Sequence, residues 1–580
     1  MGKRAKGRSL SEFSPLNVAE QRILEAAAAG DLAEIGETRP ETESDTNTVR
    51  ADFLRFLALG GDDEAPVHET GLHVQGAWIT GSLDLSYAEI AGALMFLKCW
   101  FEAALLLFDA QIRGLFSLSG SQMPEMRADR LTCLAGVSLR AGFTSIGEVS
   151  LVGATVGGDL SCSKSTFENR GGRAIIADRL KVGGSAFMDD GFKAQGEIRF
   201  SGATISGNLV CTKGTFENPG GSAICADSIN VGGNVYMNDR FSAQGEIRLL
   251  GATVGGDIYF RGGNFGSSDK DARAINGQGL TVSRALIFDD VAIDGGSVDL
   301  HTAHVAHLVD DLNSWPENLI LDGFVYDSFA GNAPTTAKAR LAWLDKQRPE
   351  HSGKAKNPRE FRPQPWQQLR KVLRDMGHLE DARQIAIAFE NRKRFCGVIG
   401  EITAPAAPGD IVTCFRQWLQ SRTARGFHWL YGAVIGYGYR PARLFRIVVL
   451  VWIFSTVLFD IGGHSRVFAP SDPQIFENAA YDSCNPEKNP RANWTRCQTF
   501  PPAYPGFYPP LYALDVLLPI AKLGQEDHWA PLAPGRALTA KNRLLAWSTQ
   551  FAVWFDIAFG WIAGLLLVAT LSGLAKRSDE

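Results

Sequence analysis

The sequence predicts a mainly β fold: a right-handed parallel β-helix, or solenoid, with a helical N-terminal cap, a basic helical collar and two C-terminal transmembrane helices. Three observations predict it. Glycine, at 61 of 580 residues, recurs at fixed spacing rather than in low-complexity runs, which points to a repeated turn. Two consecutive 49-residue segments, 147–195 and 196–244, are identical at 27 of their 49 positions. Two long apolar segments, 447–463 and 551–574, lie near the end of the chain. With 45% hydrophobic and 21% charged residues, the composition is that of a folded chain with length for several domains, and a disordered or collagen-like chain is excluded.

The cap occupies residues 1–71. Segments 17–35 and 49–59 have helical apolar spacing and are followed by Gly36 and Gly60, residues suited to end a helix. The solenoid occupies 72–330. Four eleven-residue blocks run without a gap from 80 to 123, each with apolar residues at roughly alternate positions. Each 49-residue copy equals four such blocks plus a short insertion, read here as FENRGG (167–172) and FENPGG (216–221). Short period-two strands separated by glycine turns stack coil upon coil, packing alternate side chains into a dry central column. The segment has room for about a dozen coils of roughly 22 residues, a rod about 50 Å long at ~4.8 Å per coil. Right-handed coiling is expected because parallel crossovers nearly always take that hand. Coils of this size without helical segments resemble the quadrilateral solenoids of pentapeptide-repeat proteins.

Residues 331–410 form a basic helical linker. From 331 to 446 there are 21 Lys and Arg against 9 Asp and Glu, a local +12 in a chain whose total is −5. That asymmetry points to one surface facing anionic headgroups and not to a chain that coats nucleic acid. Residues 366–391 place a Gly377 turn between two amphipathic helices and resemble one tetratricopeptide-type hairpin.

Residues 411–580 form the membrane domain. Arg416, Arg422, Arg425, Arg440, Arg443 and Arg446 precede the first apolar span, and Lys576 and Arg577 follow the second. Positive charge marks the cytoplasmic side, so both termini are expected there and the loop 463–543 outside. A basic start with no apolar stretch behind it is not a secretory signal, and the N-terminal half is expected in the cytosol. Nine cysteines without a CxxC pair disfavour a zinc ribbon. Cys484 and Cys497, in the external loop, are the pair expected to form a disulfide. Asp460 and Asp556 fall in the spans, and Asp515 falls in a short apolar helix candidate, 511–521, suited to the interface or to re-entering the bilayer. An ionisable group in hydrocarbon costs at least ~2.5 kcal/mol and faces a partner or a wet cavity. These three acids, with Glu526 and Asp527 beyond the short helix, are the candidate pore-lining or intramembrane set.

The order span, short helix, Leu523-Gly524-Gln525-Glu526-Asp527, span is similar to the two-helix potassium-channel pore, where a TVGYGD-like filter follows the pore helix. Gln525 and Glu526 stand at that filter's Tyr-Gly positions and Lys522 at its first threonine. A carbonyl-lined potassium filter needs the second glycine, so the resemblance implies a pore-like layout without potassium selectivity. The whole chain resembles a group of bacterial β-solenoid membrane proteins with a VRADFLRFLALGG-like cap (49–61), GAWITGSLDL-like repeats (76–85) and a YALDVLLPIAKLGQEDHW segment (512–529). Some members carry the label membrane-associated oxidoreductase, and the resemblance implies a bacterial inner-membrane address.

No P-loop, HExxH or GxSxG motif is present, so no catalytic residue, cofactor or metal is expected. His301, His304 and His307, beside Asp299, Asp310 and Asp311, are the best metal candidate, but spacing by three in a strand sends successive histidines to opposite faces. The pairs Asp189-Asp190 and Asp289-Asp290 sit at equivalent repeat positions, which favours turn chemistry over an acid–base site. The two insertions are the expected recognition edges. The reading is a non-enzymatic, membrane-anchored cytosolic solenoid that binds, scaffolds or senses, with anionic lipid, a cytosolic protein and further copies of itself as partners. The alternatives are an oligomeric channel gated by the solenoid and the oxidoreductase of the label.

Overall fold

The computed structural model describes residues 8–267, 269, 272–402, 411–518, 520–535 and 540–571. The chain divides into two compact units, Met1–Cys396 and Gly397–Glu580. Among the described residues there are eleven α-helices, and the first unit is a parallel β-solenoid of about 11 turns.

Helices α1 (Val18–Ala29) and α2 (Ala51–Ala58) cap the solenoid's start. Asn17 opens α1 by accepting the Glu20 N–H at 2.8 Å, and Gly30 ends it at φ 81°. The cap is not helical throughout. Ala33–Glu34 pairs with Gly71–Gln75 and Thr48–Arg50 with Trp78–Thr80, so the first coil begins inside it. Strands of two and three residues are too short to show alternation in the sequence.

Each later coil repeats short strands whose side chains alternate between core and surface. Partners at one outward position run Thr144, Thr166, Lys193, Thr215, Ser242 and Asn264, so successive coils are 22, 27, 22, 27 and 22 residues long. Stacking equivalent positions builds ladders. Phe143, Phe167, Phe192, Phe216, Phe241 and Phe265 form one in the core, with ring centroids 5.1 to 5.5 Å apart. One turn uses a left-handed residue in each of six successive coils: Arg130, Gly153, Arg179, Gly202, Ser228 and Gly251 have φ between 53° and 66°. Only half of them are glycine, so this turn is held by the stack's hydrogen bonds and not by residue type alone.

The far end of the solenoid would expose an unpaired edge. It is covered by α3 (Ala337–Leu344), α4 (Pro349–Ser352), α5 (Gln364–Asp375) and α6 (Leu379–Cys396). Gln364 and Gln368 of α5 donate to the Phe324 and Tyr326 carbonyls at 3.1 and 2.6 Å, taking the place of a next coil. Trp315 stacks on Phe288 at 4.2 Å, and Arg340 forms a buried two-pronged pair with Asp310. The expected linker hairpin is therefore the solenoid's terminal lid.

The second unit contains α7 (Ile411–Ile435), α8 (Pro441–His464), α9 (Pro473–Glu477), α10 (Pro509–Leu517) and α11 (Ala540–Leu571). Helices α8 and α11 are long and apolar enough to cross a membrane: the 24 residues of α8 extend ~36 Å, against a hydrocarbon core of about 30 Å. Their large apolar side chains, among them Leu450, Phe454, Phe551 and Leu565, are exposed, whereas a core helix of a water-soluble domain would bury them. Lys576 and Arg577, expected to close the second span, lie outside the described residues. Helix α10 ends at Leu517, short of the expected 521, because the residue before Pro519 is pushed out of helical conformation; Leu518 has ψ 99°.

Candidate functional site

Two places break the regularity of their surroundings. The first is the insertion in alternate coils. Residues 166–175 span the same pairing interval as 193–198, four residues more, and the excess forms a bulge repeated at 215–224. The side-chain amide of Asn169 closes one bulge by donating to the Arg173 carbonyl at 2.8 Å, and Asn218 closes the other on Ser222 at 2.8 Å. The intervening strand must yield. Gly196 has φ 130°, and a Cβ there would lie 2.5 Å from the Asn169 carbonyl oxygen; Gly245, at φ 129°, faces Asn218 in the same way at 2.6 Å. Arg170 donates to Gln195 at 2.9 Å and Gln195 to Glu217 at 3.2 Å, so one polar chain joins the two bulges across the coil between them. This makes a ledge of charged and amide groups on the solenoid surface.

The acid pairs do not form a site. Asp190, Asp239 and Asp290 occupy left-handed turn positions at φ 52°, 47° and 55°. Asp189 accepts from Ser163, and Asp289 pairs with Arg261 at 2.7 Å, so these carboxylates tie one coil to the next. His304 and His307 share the exposed side of one strand, against the expected alternation. His307 bonds Ser328 at 2.8 Å and His304 lies 3.9 Å from Asp327. Among the described residues no three His, Cys, Asp or Glu side chains are placed to hold a metal ion.

The second place is the loop after α10. Asp515, nearly buried, accepts the backbone N–H groups of Leu523, Gln525 and Glu526 at 2.6, 2.7 and 2.9 Å. Gln525 is buried and locks the same loop, accepting from the Tyr508 N–H at 3.0 Å and donating to the Gly506 carbonyl at 3.1 Å. His528 donates to the Gly524 carbonyl at 2.7 Å, and Trp529 enters a two-stranded antiparallel pair, Phe468–Pro470 with Trp529–Pro531. Glu526 and Asp527 are left at the surface, with Lys522 4.0 Å from Asp527. Packing beneath Glu526, then the charges of Asp515 and Asp527, raise its carboxyl above the usual range against the pull of Lys522. Burial also raises the Tyr512 phenol of α10, helped by Glu526, Asp515 and Asp556 in that order.

Asp556 of α11 is fully buried and lies against the buried Ser455 of α8. Asp460 stands apart, exposed one turn from the end of α8 and 3.6 Å from His464. Cys484 and Cys497 are disulfide-bonded, with Cα atoms 5.4 Å apart, in the segment between α8 and α10. Of the six arginines, Arg416, Arg422 and Arg425 lie on α7, Arg440 precedes α8, and Arg443 and Arg446 are in its first turns.

Sequence reasoning missed a cleft of about 570 Å³ between residues 38–41 and the solenoid wall, lined by Arg39, Glu41, Lys98, Trp100 and Gln122. Arg39 bridges the Gly120 and Gly142 carbonyls at 3.3 and 3.2 Å, and Trp100 stacks on Trp78 with centroids 5.1 Å apart. The spacing of the two tryptophans, one coil, was the signal available. No family model, no curated protein and no solved structure matches the chain.

Proposed function

We propose that this protein is a non-catalytic binding or sensing scaffold: a cytosolic β-solenoid held at the bacterial inner membrane by α8 and α11, with both termini cytoplasmic. The observation that carries the reading is the polar ledge of two stacked bulges, built at the expense of coil regularity and presented on a chain whose other unit has two membrane-length helices. A rigid wall with one irregular, charged edge is suited to recognising a protein surface. Arg416, Arg422 and Arg425 of α7 and Arg443 and Arg446 of α8 meet anionic headgroups at up to ~1 kcal/mol each. Deleting 169–172 together with 218–221 restores the plain strand spacing. The deletion should leave the circular dichroism of the detergent-solubilised chain unchanged and abolish cross-linking of its cytosolic protein partner. Retained cross-linking rejects the ledge as the recognition edge.

A second reading is favoured by the Asp515 loop. Three N–H groups fixed by one buried carboxylate hold Glu526 and Asp527 outward, an arrangement that lines a cation path if several copies assemble. Reconstituted protein should then conduct cations and lose conductance in Glu526→Gln. A silent bilayer with purified oligomer rejects the pore.

A further inference from the structure

We infer that α7 lies in the membrane interface, its apolar stripe against the acyl chains of the leaflet from which α8 departs, so that the chain meets lipid through three helices and not two. The inference rests on the membrane-anchored reading and extends it to a helix that is not itself a span. At ~100° per residue, Val412, Phe415, Trp418, Leu419, Trp429 and Leu430 fall within about 120° of the α7 surface. They are between 46% and 79% exposed, far more contiguous apolar surface than a wet helix tolerates. The other side is already used: Ser421, Gly432 and Ile435 are buried, and Gly432 is covered by the Tyr437 ring.

Its depth follows from what its last turn touches. Tyr431, Val434 and Ile435 pack with Leu444 and Val448, in the first two turns of α8, and with Phe559, Ala563 and Leu566 toward the end of α11. The root of α7 is therefore level with the ends of both membrane-length helices. Charge agrees with that level. Arg416 and Arg425 border the stripe, and Arg422 lies within it with its guanidinium 5.3 Å from the Trp418 ring, a geometry that lets the head reach phosphates while the stem covers apolar surface. Aromatic residues among arginines on one exposed helix face fit a bilayer boundary better than a protein groove.

Cys414, on α7, is the exposed free cysteine among the described residues, and the remaining free ones are buried. In full-length C414S protein, single cysteines at Phe415, Leu419, Gln420 and Phe454 are labelled with an environment-sensitive fluorophore and reconstituted into phosphatidylcholine–phosphatidylglycerol vesicles. Probes at Phe415 and Leu419 should be quenched at least about threefold more by doxyl-labelled lipid than by iodide, and the Gln420 probe the reverse. Equal iodide quenching at all three α7 positions overturns the inference. Shielding of Phe415 and Leu419 from both quenchers overturns it too, assigning the stripe to a second copy. Phe454, on the exposed side of α8, separates the two claims: if it also sees iodide and not lipid, the anchoring reading fails.

Discussion

Arg340 has no exposed surface; both oxygens of Asp310 hold its guanidinium at 2.7 Å, and the Phe329 ring lies 3.6 Å beneath it. Removing one partner leaves a bare buried charge, so Asp310→Ala should cost about 3–5 kcal/mol, read by urea unfolding of the detergent-solubilised chain. Gly196→Ala should cost about 1–3 kcal/mol in backbone strain before the clash with Asn169 is counted, whereas Gly171→Asn, at φ 73° with open space around it, should stay within about 1 kcal/mol. The same melts decide both. Glu526 titrates with a consequence of definite sign. Its folded carboxyl holds a proton more tightly than the unfolded one, so the loop is most stable below the ordinary glutamate pKa and weakens as pH rises through the raised value. Glu526→Gln should remove that slope, measured as amide exchange of residues 523–526 across the acidic range.

Individual elements were legible where they repeat and opaque where they occur once. Twenty-seven identities in 49 positions expose the alternate coils, and FENRGG and FENPGG mark the bulges because an insertion stands out against a constant period. The closing of the solenoid's edge by Gln364 and Gln368 left no such mark, since a glutamine that caps a strand reads like any polar residue on a helix. Asp515 is the clearest case. An acid between two apolar spans reads as a pore residue, while its three N–H partners come from a turn eight to eleven residues away that exists only once the loop is folded. Asp515→Ala leaves those donors without their acceptor, and charge-assisted bonds of this kind carry about 1.5–3 kcal/mol each. Amide exchange at Leu523, Gln525 and Glu526 should rise by at least about tenfold while exchange in the solenoid stays unchanged; unchanged exchange at Gln525 would refute the anchoring role.

For the whole molecule, the division of labour between two units follows from two kinds of apolar pattern. Period-two alternation buries itself by stacking, which makes the first unit self-sufficient from cap to lid. The long runs of α8 and α11 bury little of themselves within the second unit and leave Leu450, Phe454, Phe551 and Leu565 outward, a surface that water would penalise and lipid would not. The fold class was readable from these patterns; the cleft beside Trp100 and the loop gathered on Asp515 were not, because each joins groups that meet only in the folded chain. The most direct test of a solenoid anchored by two crossing helices is sidedness. In sealed inner-membrane vesicles, C414S protein carrying a cysteine at Tyr87 of the solenoid or at Arg491 of the segment between the spans is treated with a membrane-impermeant maleimide. The account predicts that the two positions are labelled from opposite sides; labelling of both from the same side would contradict it.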